Sequence, residues 1–162
     1  MMLFLKNLLF TVLLPGTIGV YVPRWISLGR PPATGAAALL AGVAFAAGAA
    51  IYLWCVWDFA TFGRGTPAPI DAPRRLVVRG LYRCVRNPMY VGVLTVILGW
   101  VLLFRSRDLA TYGLVVAAGF HLFVVLYEEP TLRVRFGPEY DEYRVRVGRW
   151  LPRLRRRERL SR

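Results

Sequence analysis

The chain has 162 residues, of which 56% are hydrophobic, with a mean hydropathy of +0.44 and a net charge of +13. An ordinary soluble domain of this length is less apolar, so a membrane protein is the first hypothesis. Nucleic acid is not the expected partner of the positive charge, because the basic residues avoid the apolar stretches. They collect in the connections and the tail, as they do in membrane proteins. We predict an all-α, polytopic membrane protein with about four transmembrane helices.

Two transmembrane helices are predicted in the N-terminal part, residues 1–60. The first runs from about Leu3 to Val22 with a kink at Pro15-Gly16, because proline removes one backbone donor. It ends at Pro23-Arg24. The second runs from about Thr34 to Phe59. Small residues recur in it at steps of four, and such a face permits close packing inside the protein or in a dimer. These residues are Ala38, Gly42, Ala46 and Ala50.

The second predicted unit, residues 61–162, begins with a loop. Glycines, prolines and six arginines break any helical period in residues 61–88. A transmembrane hairpin follows at 88–127. Its first span runs from Pro88 to Phe104, and its second from Leu109 to Tyr127, with a polar turn between them.

The predicted hairpin is followed by a short helix and a basic tail. Gly137-Pro138 ends the preceding helix and begins another, in which Tyr140, Tyr143 and Val147 share one face. We expect this helix to be interfacial, lying along the membrane surface. The arginine-rich tail after it should bind anionic lipid headgroups.

The distribution of arginines predicts the orientation of the chain. Seventeen lie in the 61–88 loop and after Tyr127, against four in the connections 23–33 and 105–108. Positively charged residues are enriched on the cytoplasmic side of a membrane. We therefore expect both termini, the long loop and any site beside them to face the cytoplasm.

The ionisable residues near the spans gather at this same predicted end. Asp58, Glu128 and Glu129 lie at span ends, whereas a transporter usually keeps such a residue in the middle of a span. The hairpin should bring Arg86 and Asn87 close to the two glutamates. A ligand with both charges, such as an amino acid with a positive centre, would satisfy both groups. Because adjacent residues point about 100° apart on a helix, we expect one glutamate to face the ligand and the other to bind an arginine.

Two segments resemble a known family. Residues 80–92, GLYRCVRNPMYVG, are similar to the GPYxxxRHPxYxG pattern of isoprenylcysteine carboxyl methyltransferases and their phospholipid-methylating relatives. Residues 128–152, EEPTLRVRFGPEYDEYRVRVGRWLP, resemble that family's closing EExxLxxxFGxxYxxYxxxVxRxxP pattern in order and spacing. The resemblance covers about the last hundred residues, while the first two spans match only in character.

The resemblance implies an integral membrane methyltransferase that binds S-adenosylmethionine at the cytoplasmic end of the last two spans. By position, the residues implied to contact this cofactor are Gly80, Tyr82, Arg86, Asn87, Pro88, Tyr90, Glu128 and Glu129. The residues implied to lie nearer the substrate are Tyr143 and Arg149. We assign no catalytic acid or base, because an anionic acceptor mainly needs alignment with the electrophilic methyl group. Arg86, Asn87 and Glu128 would provide that positioning.

His121 is a further candidate, and it comes from helix spacing. It precedes Glu128 by seven residues and so shares its face in a regular α-helix. We predict that it lines a substrate passage; the alternative is a histidine whose hydrogen bond is satisfied by a neighbouring helix. With a single histidine and two cysteines, Cys55 and Cys84, that lack paired spacing, no metal is predicted.

The expected methyl acceptor is a lipophilic or membrane-delivered small molecule with a carboxylate, amine or thiol. A different class of function is a non-catalytic membrane module that binds anionic lipid or a protein partner through its basic tail. A hairpin that binds a nicotinamide cofactor, as in certain sterol reductases, is disfavoured by the short chain. The sequence leaves the acceptor and the oligomeric state open.

Asn87 departs from the family pattern, whose commonest form has histidine there. Asparagine donates a hydrogen bond but does not titrate near neutral pH. We expect Asn87→His to retain methyl transfer, because both side chains can donate the same hydrogen bond. Release of S-adenosylhomocysteine measures the effect, and complete loss of activity would show that the departure itself is functional.

Overall fold

The computed structural model describes residues 13–63 and 76–153, and regular structure in those ranges is helical. The α-helices in chain order are α1 (Val22–Ile26), α2 (Ala36–Asp58), α3 (Pro88–Phe104), α4 (Arg107–Phe123), α5 (Glu129–Phe136) and α6 (Pro138–Arg146). Turns of π-helix precede α1, follow α2 and join α4 to α5; they are Thr17–Tyr21, Phe59–Gly63 and Val124–Glu128. The predicted all-α class is confirmed for the described residues.

Two of the described helices are long and apolar enough to cross a membrane. They are Ala36–Phe62 and Arg107–Phe136, each with a hydropathy of 2.1 in its most apolar window. Only 28% and 11% of these windows are buried, whereas the core helix of a soluble protein hides most of its apolar surface. These two helices therefore carry the exposed apolar surface that membrane-spanning helices have. α3 has the predicted bounds but only 17 residues, and the count of about four spans stays a prediction.

Helix α2 packs closely against α3 through glycines. A Cβ atom built on Gly48 would lie 2.7 Å from the carbonyl oxygen of Gly92, and one built on Gly92 would lie 3.0 Å from the carbonyl oxygen of Gly48. The two backbones can approach this closely only because neither residue has a side chain. The face that makes this contact differs from the predicted one: Gly42, Ala46 and Ala50 are exposed, while Ala41, Ala44 and Gly48 are buried.

The N-terminal helix continues through Pro23 to Ile26, so the predicted end at Pro23 is wrong. Proline leaves the carbonyl oxygen four residues earlier without its usual donor, and here the indole nitrogen of Trp100 donates to that oxygen, on Gly19, at 3.0 Å. The neighbouring carbonyl of Ile18 accepts from the Tyr112 hydroxyl at 2.8 Å. Side chains of α3 and α4 thus satisfy the acceptors that the π-turn and the proline release. Residues 3–12 of the predicted first span lie outside the described residues.

The apolar stripe of α6 packs against protein. Tyr140, Tyr143 and Val147 form one buried cluster, with Leu132 and Phe136 of α5 packed against it. Tyr140 and Tyr143 share a helix face, as predicted, whereas Val147 follows the end of α6 in extended conformation and joins the cluster from there. However, α5 and Leu76 cover that face, so it is not the face that would rest on a membrane.

At the opposite ends of the helices, hydrogen bonds and an ion pair connect the chain before α2 to the start of α4. Arg30 donates to the Ser106 hydroxyl at 2.7 Å and pairs with Asp108. Ser106 also caps α4 by accepting from the backbone nitrogen of Leu109. The predicted tight turn between the hairpin helices is confirmed, with Arg105 in the left-handed conformation at φ 46°.

The glycine contact between α2 and α3 can be tested by adding one methyl group. Gly48→Ala should lower stability by about 1–3 kcal/mol, because the new Cβ meets backbone atoms that cannot move aside. Gly42→Ala is the matched control, since nothing lies within 4 Å of the added Cβ. Denaturant titration in mixed micelles measures both, and equal effects would contradict the close contact.

Candidate functional site

A cavity of about 190 Å³ lies among the ends of the helices. Arg86 and Glu128 are the charged residues in its described lining, and polar groups of Tyr82, Asn87 and Tyr143 lie on the same wall. The remaining lining is mostly apolar and aromatic; away from these polar groups it includes Leu14, Ile18, Tyr52 and Val93. The cavity therefore has a charged end and an apolar end.

Glu128 and Tyr90 meet at the charged end. Tyr90 lies in the first turn of α3, which Pro88 begins at its first position, where proline's missing donor costs nothing. Its hydroxyl donates to a carboxylate oxygen of Glu128 at 2.8 Å. The Tyr90 ring also packs against Phe120 at 4.7 Å between centroids. This contact joins the start of α3 to the end of the π-turn and orients the carboxylate.

Glu129 pairs with arginines, as expected for one of the two glutamates. Its carboxylate receives Nε and Nη2 of Arg149 at 2.7 and 2.9 Å, and Nη2 of Arg86 at 3.0 Å. The side chains of Arg86 and Glu129 are only 10% and 13% exposed. The remaining nitrogens of Arg86, Nε and Nη1, are buried and have no hydrogen-bond partner among the described residues. Arg86 therefore lines the cavity while two of its buried donors lack a hydrogen-bond partner in the described part of the chain.

The chain after α6 lies against the loop before α3. We call residues 147–153 the C-terminal segment. Val85 and Gly148 form an isolated parallel bridge, and the backbone nitrogen of Arg86 donates to the Gly148 carbonyl at 2.8 Å. The Asn87 amide donates to the Arg149 carbonyl at 3.2 Å. Gly148 is required here because a Cβ would lie 2.0 Å from the Leu151 carbonyl oxygen.

The tyrosines of the site are neutral hydrogen-bond donors at physiological pH. Burial raises the pKa of Tyr82 and Tyr143 well above the usual range, and it raises the pKa of Tyr140 to about 12. The Tyr143 hydroxyl donates to the Tyr82 carbonyl at 2.7 Å. This bond fixes the short 3-10 turn Gly80–Arg83 on α6.

Three residues that the resemblance implies in cofactor binding lie off the cavity lining. They are Gly80, Pro88 and Glu129. Gly80 has φ +52°, and a Cβ there would lie 2.4 Å from the Asp58 carboxylate. Its role in the structure is therefore to form a turn at a place where a side chain does not fit. Pro88 begins α3, and Glu129 binds the arginines behind the wall. Their contact with a cofactor stays a prediction.

Two of the predicted substrate residues, His121 and Arg149, also lie off the cavity lining. His121 is exposed, and its Nδ1 accepts from the Trp150 indole at 3.1 Å. The seven-residue spacing does not hold here because the π-turn before Glu128 inserts an extra residue and rotates the rest of the helix relative to His121. Arg149 points to Glu129, and that hydrogen bond raises the pKa of Arg149. Of the predicted substrate residues, Tyr143 lines the cavity.

Most of the apolar lining, and the contact that Trp150 makes with the site, were not predicted from the sequence. The Trp150 ring lies 6.3 Å from that of Tyr90, edge to face. Among the missed lining residues are Phe59, Phe123, Tyr127 and Thr131. No local pattern marks them, since apolar residues at a span end look the same whether they face lipid or a cavity.

Fold and site together define an integral membrane protein with a charged cavity at one end of its apolar helices. The chain belongs to the phospholipid methyltransferase family, whose model matches residues 36–139. Methyltransferases of this family use S-adenosylmethionine as the methyl donor. Membership of the family therefore indicates a membrane methyltransferase. An uncharacterised protein of Haemophilus influenzae is 34% identical over 64 residues, which are 39% of this chain and all of that protein. No solved structure matches the chain.

The two glutamates should differ in their effect on stability. Glu129→Gln removes the charge that faces two arginines, and it should cost about 3 kcal/mol because a partly buried arginine loses its counter-ion. Glu128→Gln still accepts the Tyr90 hydrogen bond and should change stability by less than about 1 kcal/mol. Denaturant titration of both variants compares them, and equal losses would contradict the pairing.

Proposed function

We propose that the chain transfers the methyl group of S-adenosylmethionine to a lipophilic or membrane-delivered small acceptor. The observation that carries the proposal is the charged end of the cavity. There Arg86 presents two buried nitrogens without a partner in the described part of the chain, and Glu128 presents a carboxylate. The amino-acid end of the cofactor carries a carboxylate and an ammonium group, so the two residues match it in charge.

Other residues of this wall complete the proposed cofactor site. Tyr82, Asn87 and Tyr90 line the cavity beside Arg86 and Glu128. Tyr90 holds Glu128 by its hydrogen bond, and Asn87 is held by the Arg149 carbonyl. The groups are thus oriented before a ligand arrives, which lowers the cost of binding it.

The residues of the chain align the reactants and exclude water. S-adenosylmethionine supplies an electrophilic sulfonium methyl group when it is bound. An anionic acceptor, a carboxylate or a thiolate, then needs alignment and desolvation rather than a base. An amine acceptor has to be unprotonated, and a nearby carboxylate or water would take its proton.

The apolar end of the cavity supports a lipophilic acceptor. Ile18, Val93 and Phe120 are among its lining residues. An apolar acceptor could be buried there without leaving a polar group unpaired. Tyr143 lines the same cavity, and in the proposal it lies near the substrate, as the resemblance implies.

The arginine distribution supports an orientation with the site at the cytoplasmic face. The loop 76–87, the ends of α2 and α5, and the C-terminal segment all lie at this end. In the proposal the arginine-rich tail also binds anionic headgroups. Residues 154–162 of that tail lie outside the described residues.

Binding of the cofactor tests this function directly. Detergent-purified protein should bind S-adenosylmethionine and S-adenosylhomocysteine in calorimetry, and the Arg86→Ala, Glu128→Ala double variant should lose at least about tenfold in affinity, because each charged hydrogen bond contributes about 1.5–3 kcal/mol. Arg146→Ala is the control, since Arg146 pairs with Glu142 on the exposed surface. Absence of binding to well-folded protein would favour the lipid-binding module instead.

A further inference from the structure

We infer that Arg149 is a positioning residue: it acts through Glu129 to keep two nitrogens of Arg86 free for the carboxylate of the cofactor. The inference rests on the proposed function and gives Arg149 a role other than binding the acceptor. It also makes the C-terminal segment part of the cofactor site, although Arg149 itself lies off the cavity lining.

The side-chain contacts show how Arg149 can act on Arg86. Arg149 binds both oxygens of Glu129, through Nε to Oε1 and Nη2 to Oε2. Arg86 binds Oε1 alone, through a single nitrogen at 3.0 Å. A carboxylate and a guanidinium otherwise prefer a two-bond, fork-like pair. Because Arg149 occupies that arrangement, Glu129 anchors Arg86 at one atom only.

As a consequence, two nitrogens of Arg86 stay unbound by Glu129. Nε and Nη1 are buried and find no partner within the described ranges, and buried guanidinium donors are costly to leave unpaired. Without Arg149, Glu129 could turn its second oxygen to Arg86 and bind these donors itself. The ligand would then compete with Glu129 for Arg86.

Backbone contacts of the same segment fix the other side of Arg86. Its N–H donates to the Gly148 carbonyl, and the next residue, Asn87, donates to the Arg149 carbonyl. The segment therefore holds the main chain of Arg86 directly and its side chain through Glu129. A residue that served only the acceptor would need neither contact.

The affinities for two nucleosides distinguish a positioning role of Arg149 from a general structural one. S-adenosylhomocysteine carries the amino-acid carboxylate, whereas 5′-methylthioadenosine lacks the whole amino-acid end. We expect Arg149→Ala to weaken S-adenosylhomocysteine about tenfold, the loss of one charged hydrogen bond, and to leave 5′-methylthioadenosine unchanged. Arg86→Ala should give the same pattern. In the Arg86→Ala background, Arg149→Ala should have no further effect, because a residue that acts through another loses its effect when the other is absent.

Matched variants keep the result interpretable. Arg146→Ala removes an exposed arginine–glutamate pair at 2.9 Å and should leave both affinities unchanged. If Arg149→Ala does not fold, Arg149→Lys takes its place, since lysine keeps the charge but cannot form the fork. It should weaken S-adenosylhomocysteine and leave 5′-methylthioadenosine unchanged.

Four outcomes would overturn the inference. The first is an equal loss for both nucleosides in the Arg149 variant, which would mean general damage. The second is unchanged affinity for S-adenosylhomocysteine with a raised KM for the acceptor, which would return Arg149 to the substrate. The third is additive losses in the double variant. The last is wild-type protein that binds neither nucleoside, and that result alone would reject the proposed function as well.

Discussion

The carboxylate of Glu129 joins three parts of the chain that are distant in sequence. It follows the π-turn at the end of the long apolar helix, and it binds Arg86 from the loop before α3 and Arg149 from the C-terminal segment. A carboxylate this well buried is stable only when it is paired. Its two arginines therefore determine where the loop and the segment lie, and with them the wall of the cavity.

The helices that carry this wall are held by close contacts rather than by apolar burial alone. Lipid is as apolar as the side chains, so association of helices in a membrane depends on packing and hydrogen bonds. The approach of Gly48 to Gly92 supplies the packing. Hydrogen bonds of Trp100 and Tyr112 to carbonyls of the N-terminal helix supply the polar contacts. Together they surround the apolar end of the cavity with several helices.

Much of this could be predicted from local sequence. Pro88 at a first helical position and the polar turn after Phe104 defined α3 with its observed bounds, because caps and prolines act on the residues next to them. The 100° between adjacent residues on a helix predicted that one glutamate would bind arginine, and Glu129 does. The two spaced motifs predicted the family, and the family match confirms it.

The tertiary structure decided what local periodicity could not. The π-turn Val124–Glu128 separates His121 from the cavity, although a regular helix would place it beside Glu128. The apolar stripe of α6 looks the same in sequence whether it meets lipid or protein, and only its packing on Leu132 and Phe136 shows that it meets protein. Likewise, the resemblance implied a place for Arg149 near the substrate, but its partner in the structure is Glu129, because the C-terminal segment folds back on that residue. Spacing fixes which residues share a face, whereas long-range contacts decide what that face touches.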